Sequence, residues 1–349
     1  PASGGLAMTP QKDTARRMKV LFFSPLSNAC TYYRCTLPAR HLQRQGLAQA
    51  RLVSTLAKEY FDWASLVVVQ RVVGDLMYHI VKYCKLVGKK VVYELDDNIF
   101  MYPESPEYRK DRVQAETVSA IKILRNCHAI TTTTEAIAQT VRELVDTPVY
   151  VLPNQIDFGD LEDLNLSAQK QLSVGWAGGH YHVQDLGLIE PALEEILRRY
   201  PEIVLIMYGA CPKGLYERNK SRIFLQPFMP MEEFHFWMAT FRFDIGLAPL
   251  YRTEFARGRS NLRLLQYAAL GIPMVVSNWG EYGKSLLGGL SGLLAEDDEW
   301  VEKIGYLIEN PEERRRLCVA ARTYVREKYD AEKNIGLWWD CYEKVMQEA

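Results

Sequence analysis

The sequence predicts an α/β protein built from two doubly wound, Rossmann-like domains that face each other across a cleft. Short apolar segments alternate with helix-length segments, a pattern typical of parallel sheets with right-handed crossovers. A polar stretch after Pro153 interrupts the alternation, which then restarts. A length of 349 residues also suits two domains. Because ligands of such folds bind outside the carboxyl ends of the strands, we expect a site in the cleft.

The first series of strands is continuously apolar, as expected when helices cover both faces of a sheet. These strands are predicted at residues 19–24, 65–70, 90–95, 128–133 and 148–152. A helix is predicted over 112–126. Residues 18–155 are therefore assigned to the first domain. Residues 1–17, which open with the small uncharged sequence PASGGLAM, are expected to be a disordered tag.

The second series of strands follows a polar segment that contains DFGDLEDLN, so residues 156–170 are the predicted linker. These strands are predicted at residues 172–176, 203–208, 223–225, 243–248 and 274–277. Residues 171–334 form the second predicted domain. Residues 335–349 include the aromatic helix-length stretch IGLWWDCYEKVM, which no strand follows. We expect this helix to fold back onto the first domain.

The composition excludes several classes of protein. Hydrophobic residues make up 48% and charged residues 24%, which is typical of a globular chain rather than a disordered one. A net charge of −1 argues against an overall basic nucleic-acid binder. Seven scattered cysteines without a CxxC pair fit neither a zinc site nor a disulfide framework. No apolar run approaches the ~20 residues of a membrane span, so we expect a cytoplasmic protein, with contact at the inner membrane face left open.

The segment RGRSNLRLLQYAALGIPMVVS, residues 257–277, predicts a loop, a helix and a buried strand. Ser260 or Asn261 is the expected N-cap, and Gly271 stands where the helix should end. Arg259 lies just before the helix and Arg263 in its first turn. The helix dipole disfavours cations there unless an anion is bound, so this pattern favours a diphosphate site over a solvated basic helix start.

Other residues of the second half are candidates for the same ligand. Gln266 stands one turn beyond Arg263, where its amide can hydrogen-bond ribose hydroxyls. Gly178 and Gly179 follow a predicted strand in VGWAGGHYHVQD, so the backbone can approach a ligand closely. His182 flanks this turn and either contacts a ligand or serves in packing or capping. A metal site is not favoured, because no nearby cysteine or paired acid completes a ligand set.

The first half offers a separate group of candidates. Glu94, Asp96 and Asp97 end a predicted parallel strand at the edge of the cleft. The two aspartates bind sugar hydroxyls, orient an acceptor nucleophile, hold a metal or simply cap the next turn. Tyr33 and Arg34, in the sequence SNACTYYR after the first strand, are expected to line the cleft, although the tyrosine is equally suited to a core. Basic segments at 82–90 and 314–316 are candidates for contact with DNA or with anionic lipid. Alternatively, they are solvated helix faces that bind neither.

Several segments together resemble the retaining, group 4-like glycosyltransferases of the GT-B fold. These are VGWAGGHYHVQDL, VLPNQID, KVVYELDDNIF, the Tyr33–Arg34 pair and DIGLAPLYRTEFARGRSNLRLLQYAALGIPMVVSNWGEYG. The last is similar to the KSNxKxxEYxAxGxPVV signature of a bacterial and phage-encoded branch. The resemblance implies that the second domain binds a nucleotide sugar and the first binds the acceptor. It places Arg259 and Arg263 on the diphosphate and Gly178–Gly179 at the phosphate-facing turn.

The same resemblance implies donor contacts from His182, Ser260 and Asn261. The chain departs from the family at both acids of the E-x7-E motif. Gln266 stands where the ribose-binding Glu is usual, and Gly258 stands at the first Glu, with Glu254 as an acid in the same loop. An amide hydrogen-bonds ribose without a charge-assisted pair, so donor affinity is expected to fall.

The expected function is therefore transfer of a sugar, with retention, from a UDP- or GDP-sugar to an acceptor hydroxyl, with Arg263, Arg259, Asp96 and Asp97 as the catalytic candidates. The nucleotide sugar is a co-substrate, and no other cofactor or metal is expected. The acceptor is a glycan, a lipid-linked sugar or modified DNA. The alternatives are a catalytically weak sugar-nucleotide-binding subunit and a phage-type glycosyltransferase that acts on modified DNA.

Overall fold

A computed structural model describes residues 17–102, 110–161, 171–179, 182–227, 229–285, 289 and 291–347. Within these ranges the chain forms two parallel six-stranded sheets separated along the sequence, which confirms the predicted fold class. The predicted tag lies outside the described residues up to residue 16, and the predicted linker does so from residue 162 to residue 170.

The first sheet has the strand order β2-β1-β3-β4-β5-β6. Its strands are β1 Met18–Phe23, β2 Ala48–Val53, β3 Leu66–Gln70, β4 Lys90–Leu95, β5 Ala129–Thr132 and β6 Val149–Val151. The second sheet has the order β12-β11-β10-β7-β8-β9. Its strands are β7 Ser173–Ala177, β8 Val204–Tyr208, β9 Ile223–Gln226, β10 Ile245–Ala248, β11 Met274–Ser277 and β12 Leu293–Ala295. In each sheet the order reverses beside the first strand, and a cleft is expected at that point.

Helices connect the strands. Those of the first half are α1 Ala29–Thr31, α2 Leu37–Arg44, α3 Lys58–Trp63, α4 Asp75–Leu86, α5 Lys110–Leu124 and α6 Glu135–Leu144. Those of the second half are α7 Val183–Arg199, α8 Lys213–Arg218, α9 Met231–Thr240, α10 Glu254–Arg257, α11 Leu262–Ala269, α12 Gly280–Ser285, α13 Trp300–Glu309, α14 Pro311–Lys328, α15 Ala331–Asn334 and α16 Gly336–Gln347. A π-helical turn, Tyr32–Thr36, joins α1 to α2.

Apolar clusters cover both faces of the first sheet, as its continuously apolar strands predict. In β1, Val20 and Phe22 pack in one apolar cluster while Leu21 and Phe23 pack in another, on the opposite face of the sheet. Because successive side chains of a strand point to opposite faces, a strand buried on both sides needs a continuous apolar run. Helix α16 joins the first of these clusters, where Tyr342 lies 6.3 Å from Phe22 between ring centres.

The edge strands β2 and β12 are not among the predicted ones. Strand β2, with the sequence AQARLV, alternates buried and exposed side chains at its start, as an edge strand does, and so lacks a continuous apolar run. Strand β12 is only three residues long. The predicted end of α11 is confirmed, because Gly271 has a left-handed backbone with a φ of 64° and the chain then enters β11.

Candidate active site

The guanidinium of Arg263 lies at the carboxyl end of β7. Its side chain projects from the first turn of α11, is 7% exposed, and lies over the ring of Trp176 with Cζ 5.0 Å from the ring centre. Nε donates to the carbonyl oxygen of Ala177 at 3.0 Å. Nη1 is buried and has no hydrogen-bond partner among the residues that the structure describes. Because an unpaired buried cationic N–H is costly, this atom indicates where a bound anion would supply the missing acceptor.

Gly178 makes room for this guanidinium. A Cβ atom at Gly178 would lie 2.6 Å from the Trp176 ring and 2.7 Å from Nη2 of Arg263. The backbone N–H of Gly178 donates to the carbonyl of Tyr208 at 3.2 Å, and Gly179 accepts from the N–H of His182 at 3.1 Å. The two glycines therefore form a tight turn over which Arg263 fits, and no larger residue leaves that space.

We expect Gly178→Ala to destabilise the protein by about 1–3 kcal/mol, because the new methyl group overpacks the contact between Trp176 and Arg263. Urea denaturation measures this change in the free energy of unfolding. Gly187→Ala is the matched control, because Gly187 lies in α7 with no atom within 4 Å of the added Cβ. The control should be neutral or stabilising, since alanine favours helices over glycine. Equal stabilities of the two variants would contradict the tight fit at Gly178.

Arg259 is engaged by an acid that sequence reasoning did not assign. Its Nη1 lies 2.6 Å from Oδ2 of Asp185 and 3.0 Å from Nδ1 of His182. Nδ1 of His182 donates to the same Asp185 oxygen at 2.6 Å, and Asp185 also accepts from the N–H of Tyr251. Burial and the positive charges of Arg263 and Arg259 lower the pKa of His182 to about 4, so this ring is neutral at pH 7. Asp185 lies in the first turn of α7, three residues after the N-cap residue His182, and this spacing was the available signal in the sequence.

The predicted start of α11 is confirmed, with Asn261 at the N-cap position. Asn261 is the N-cap residue, but its side chain makes no capping hydrogen bond and instead donates to Ser285 Oγ at 2.7 Å. Ser260 accepts at 2.9 Å from Asn154, a residue of the first half of the chain. Asn261 therefore holds the predicted N-cap position without a capping bond, because tertiary partners take the side chains of both Asn261 and Ser260.

Gln266 meets the first domain. Its Nε2 donates to the hydroxyl of Tyr33 at 3.0 Å, and that hydroxyl lies 3.1 Å from Nε2 of His235 in α9. Tyr33 is 1% exposed and lies in the same apolar cluster as Leu264 and Leu265 of α11. The structure thus brings Tyr33 and Gln266 together, whereas the sequence assigned them to different ligands.

In the loop before α11, Glu254 is exposed and Gly258 packs against the first domain. The Glu254 side chain is 65% exposed and forms an ion pair with Arg257 at 3.4 Å, on the same short helix. Gly258 is packed against the first domain: an added Cβ would lie 3.2 Å from both Asn98 Cβ and Ile137 Cγ1. A side chain at position 258 would press directly on the first domain, which is a physical reason for glycine there.

Asp96 and Asp97 are held by an arginine that the sequence analysis did not single out. Nη1 of Arg71 lies 2.7 Å from Oδ2 of Asp97 and 3.4 Å from Oδ1 of Asp96. Arg71 itself has a φ of 47°, a left-handed conformation that side chains rarely adopt and that concentrates at functional sites. Burial and the neighbouring Asp96 raise the pKa of Asp97, and Arg71 and Arg259 oppose that shift. Arg259 therefore acts on Asp97 from the other domain.

Arg34 and Glu94 do not line a cleft. Both are 1% exposed and form a bidentate pair, with Nε to Oε1 at 2.7 Å and Nη2 to Oε2 at 3.1 Å. Nη1 of Arg34 donates to the Leu152 carbonyl and to Asn154, and Thr131 donates to Glu94. The prediction that these two residues contact an acceptor is corrected, because each satisfies the other inside the protein.

Neither a metal cluster nor a membrane-spanning helix is found in the part of the chain that the structure describes. Within those ranges, His, Cys, Asp and Glu side chains do not come together in groups of three or more that could hold a metal ion. Among the same residues, every helix is too short or too polar to cross a membrane.

Known proteins share this architecture. Residues 190–338 match the glycosyl transferase-like family. No curated protein sequence matches the chain. Among solved structures, the chain is similar to sucrose-phosphate synthase from Thermosynechococcus elongatus, with a TM-score of 0.69 and 12% identity over 94% of this chain and 99% of that one. It is also similar to HepE from Anabaena in complex with UDP and glucose, with a TM-score of 0.67 and 13% identity over 94% and 100%.

A glycosyltransferase from Rickettsia africae gives a TM-score of 0.67 at 11% identity, over 95% of this chain and 100% of that one. At these identities the likeness to solved structures concerns the fold, while the family match concerns the second half of the chain. The chain therefore shares the fold of these solved structures, and its residues 190–338 match the glycosyl transferase-like family.

Proposed function

We propose that the protein transfers a sugar from a UDP- or GDP-sugar to an acceptor hydroxyl with retention of the anomeric configuration, as a group 4-like enzyme. The observation that carries this proposal is the buried, unpaired Nη1 of Arg263 beside the Gly178 turn. It lies at the carboxyl end of β7, where doubly wound domains bind nucleotides. HepE, a structural neighbour, has been solved with UDP-glucose, which supports a uridine nucleotide.

The proposed chemistry needs little covalent participation from the protein. The bond between the sugar C1 and the diphosphate oxygen breaks, and a bond from C1 to the acceptor oxygen forms on the same face. The acceptor proton passes to the leaving diphosphate oxygen. Arg263 stabilises the negative charge that develops there, and Asp97, held by Arg71, orients the acceptor hydroxyl. We propose that no cofactor beyond the donor takes part.

A catalytically weak binding subunit is the second candidate. It is favoured by Gln266 and Gly258, which replace both acids of the usual motif, and by the packing of Gly258 against Asn98 and Ile137. Binding of a nucleotide sugar without transfer or hydrolysis is the property that separates this candidate from the enzyme.

The test combines binding with product analysis. Calorimetry with UDP and GDP, followed by incubation with UDP- and GDP-sugars, should show binding in the micromolar to millimolar range and release of the nucleoside diphosphate. Glycans, lipid-linked sugars and modified DNA are tested as acceptors, each in membrane-free and in membrane-containing reaction mixtures. Proton NMR of the product reports whether the anomeric configuration of the donor is retained. Failure of both UDP and GDP to bind would overturn the proposal.

A further inference from the structure

A chain of three hydrogen-bonded side chains, two of them buried, crosses the domain interface beside α11. The hydroxyl of Tyr33, in the first domain, contacts two side chains of the second: it lies 3.0 Å from Nε2 of Gln266 and 3.1 Å from Nε2 of His235. Tyr33 and His235 are 1% and 8% exposed. One first-domain hydroxyl thus connects α9 to α11.

The tautomer of His235 sets the order of the protons in this chain. Burial lowers the pKa of His235 to about 4, so the ring is neutral near pH 7, and with its proton on Nδ1 its Nε2 accepts a hydrogen bond. Tyr33 has one proton to donate, which then goes to His235. The amide nitrogen of Gln266 donates to the Tyr33 oxygen. In the described part of the chain, Oε1 of Gln266 has no hydrogen-bond partner.

This order fixes which end of the amide is free. An isolated glutamine amide can rotate and present either its oxygen or its nitrogen, whereas a carboxylate presents an acceptor in either orientation. When Tyr33 holds Nε2, the carbonyl oxygen of Gln266 is the end left for a ligand. Gln266 lies three residues after Arg263, so the two side chains share one face of α11.

We propose that Tyr33 is a positioning residue that orients the Gln266 amide so that its carbonyl oxygen accepts a hydrogen bond from a ribose hydroxyl of the donor. This inference rests on the proposed function. It assigns to a first-domain residue the control of a contact made in the second domain, so ribose recognition depends on closure of the two domains. It also explains how an amide can replace a carboxylate at this position.

The test compares nucleotides with and without ribose hydroxyls. Calorimetry gives the affinities of UDP, GDP and their 2′,3′-dideoxy forms for the wild type and for Tyr33→Phe. We expect the wild type to bind the dideoxy form of its preferred nucleotide about tenfold more weakly. In Tyr33→Phe the penalty should shrink to about twofold or less, because the released amide no longer favours its carbonyl end.

Tyr32→Phe is the matched control. Tyr32 lies next to Tyr33 in sequence, with ring centres 4.9 Å apart, but its hydroxyl donates to Asp160 at 2.6 Å. This variant loses one buried hydroxyl from the same turn and should keep the full dideoxy penalty. Thermal unfolding of both variants checks that they are equally folded.

Gln266→Glu provides a second, independent variant. Because both carboxylate oxygens accept hydrogen bonds, adding Tyr33→Phe to Gln266→Glu should leave the dideoxy penalty unchanged. An equal penalty in wild type and Tyr33→Phe would overturn the positioning role, even if UDP or GDP binds well. If neither UDP nor GDP binds the wild type, the proposed function itself fails, and this inference fails with it.

Discussion

Replacing Arg263 with alanine should reduce kcat/KM for sugar transfer by at least about a hundredfold, which corresponds to about 2.7 kcal/mol of transition-state stabilisation. The reason is that Nη1 is buried, cationic and without a partner in the described structure, so a bound diphosphate gains its full charge-assisted hydrogen bond. Transfer or donor hydrolysis, followed by release of the nucleoside diphosphate, measures the loss. Arg263→Lys should recover only part, because an ammonium lacks the fork that spans Ala177 and an anion.

Replacing Arg263 should change the stability of the protein much less than its activity. Arg263→Met removes a buried cation whose hydrogen-bonding is incomplete, so we expect the free energy of unfolding without ligand to fall by no more than about 1 kcal/mol, or to rise.

Arg198→Ala, which removes a 72% exposed arginine from α7, is the control for activity. Wild-type transfer by Arg263→Ala would contradict the diphosphate assignment, and a large loss of stability in Arg263→Met would assign Arg263 a structural role instead.

Two kinds of site residue can be predicted from sequence: those that follow a local residue pattern, and those at the edge of the sheet where parallel strands end. Gly178 follows one strand and Arg263 opens the helix before another. Because the carboxyl ends of parallel strands share an edge, their proximity is expected, and an added Cβ at Gly178 would lie 2.7 Å from Nη2 of Arg263. A local pattern, glycine after the last turn of a helix, likewise predicts Gly271 at the end of α11.

The parts that sequence did not predict are pairings over long separations. Arg71 and Asp97 are 26 residues apart, and Tyr33 and Gln266 are 233 apart, in different domains. No periodicity or turn pattern links such residues, and a polar side chain at a strand end is as compatible with a cleft as with an internal partner. Arg34 and Glu94 show the consequence, because their charges suggested a surface and the fold buries both.

Breaking that buried pair is expected to have the largest effect on stability. Arg34→Met leaves Glu94 as a carboxylate that is 1% exposed, so the free energy of unfolding should fall by about 3–5 kcal/mol. Changing Glu94 to Met as well should recover much of this loss, because an apolar pair of similar volume carries no desolvation penalty. Urea denaturation of the two single variants and the double variant measures the coupling. Arg44→Met is the control, because Arg44 is 58% exposed and lies 3.6 Å from Asp157.

The defect should also depend on pH in a definite direction. Burial raises the pKa of Glu94, and Arg34 opposes that rise, so removing Arg34 raises the folded-state pKa further. A carboxyl whose folded pKa exceeds its unfolded value of about 4.3 binds its proton more tightly when folded. Stability therefore falls as pH rises from the unfolded pKa through the folded pKa. The deficit of Arg34→Met should therefore be smaller at pH 5 than at pH 8. A deficit that grows toward low pH would mean that Glu94 is stabilised as a carboxylate by partners other than Arg34.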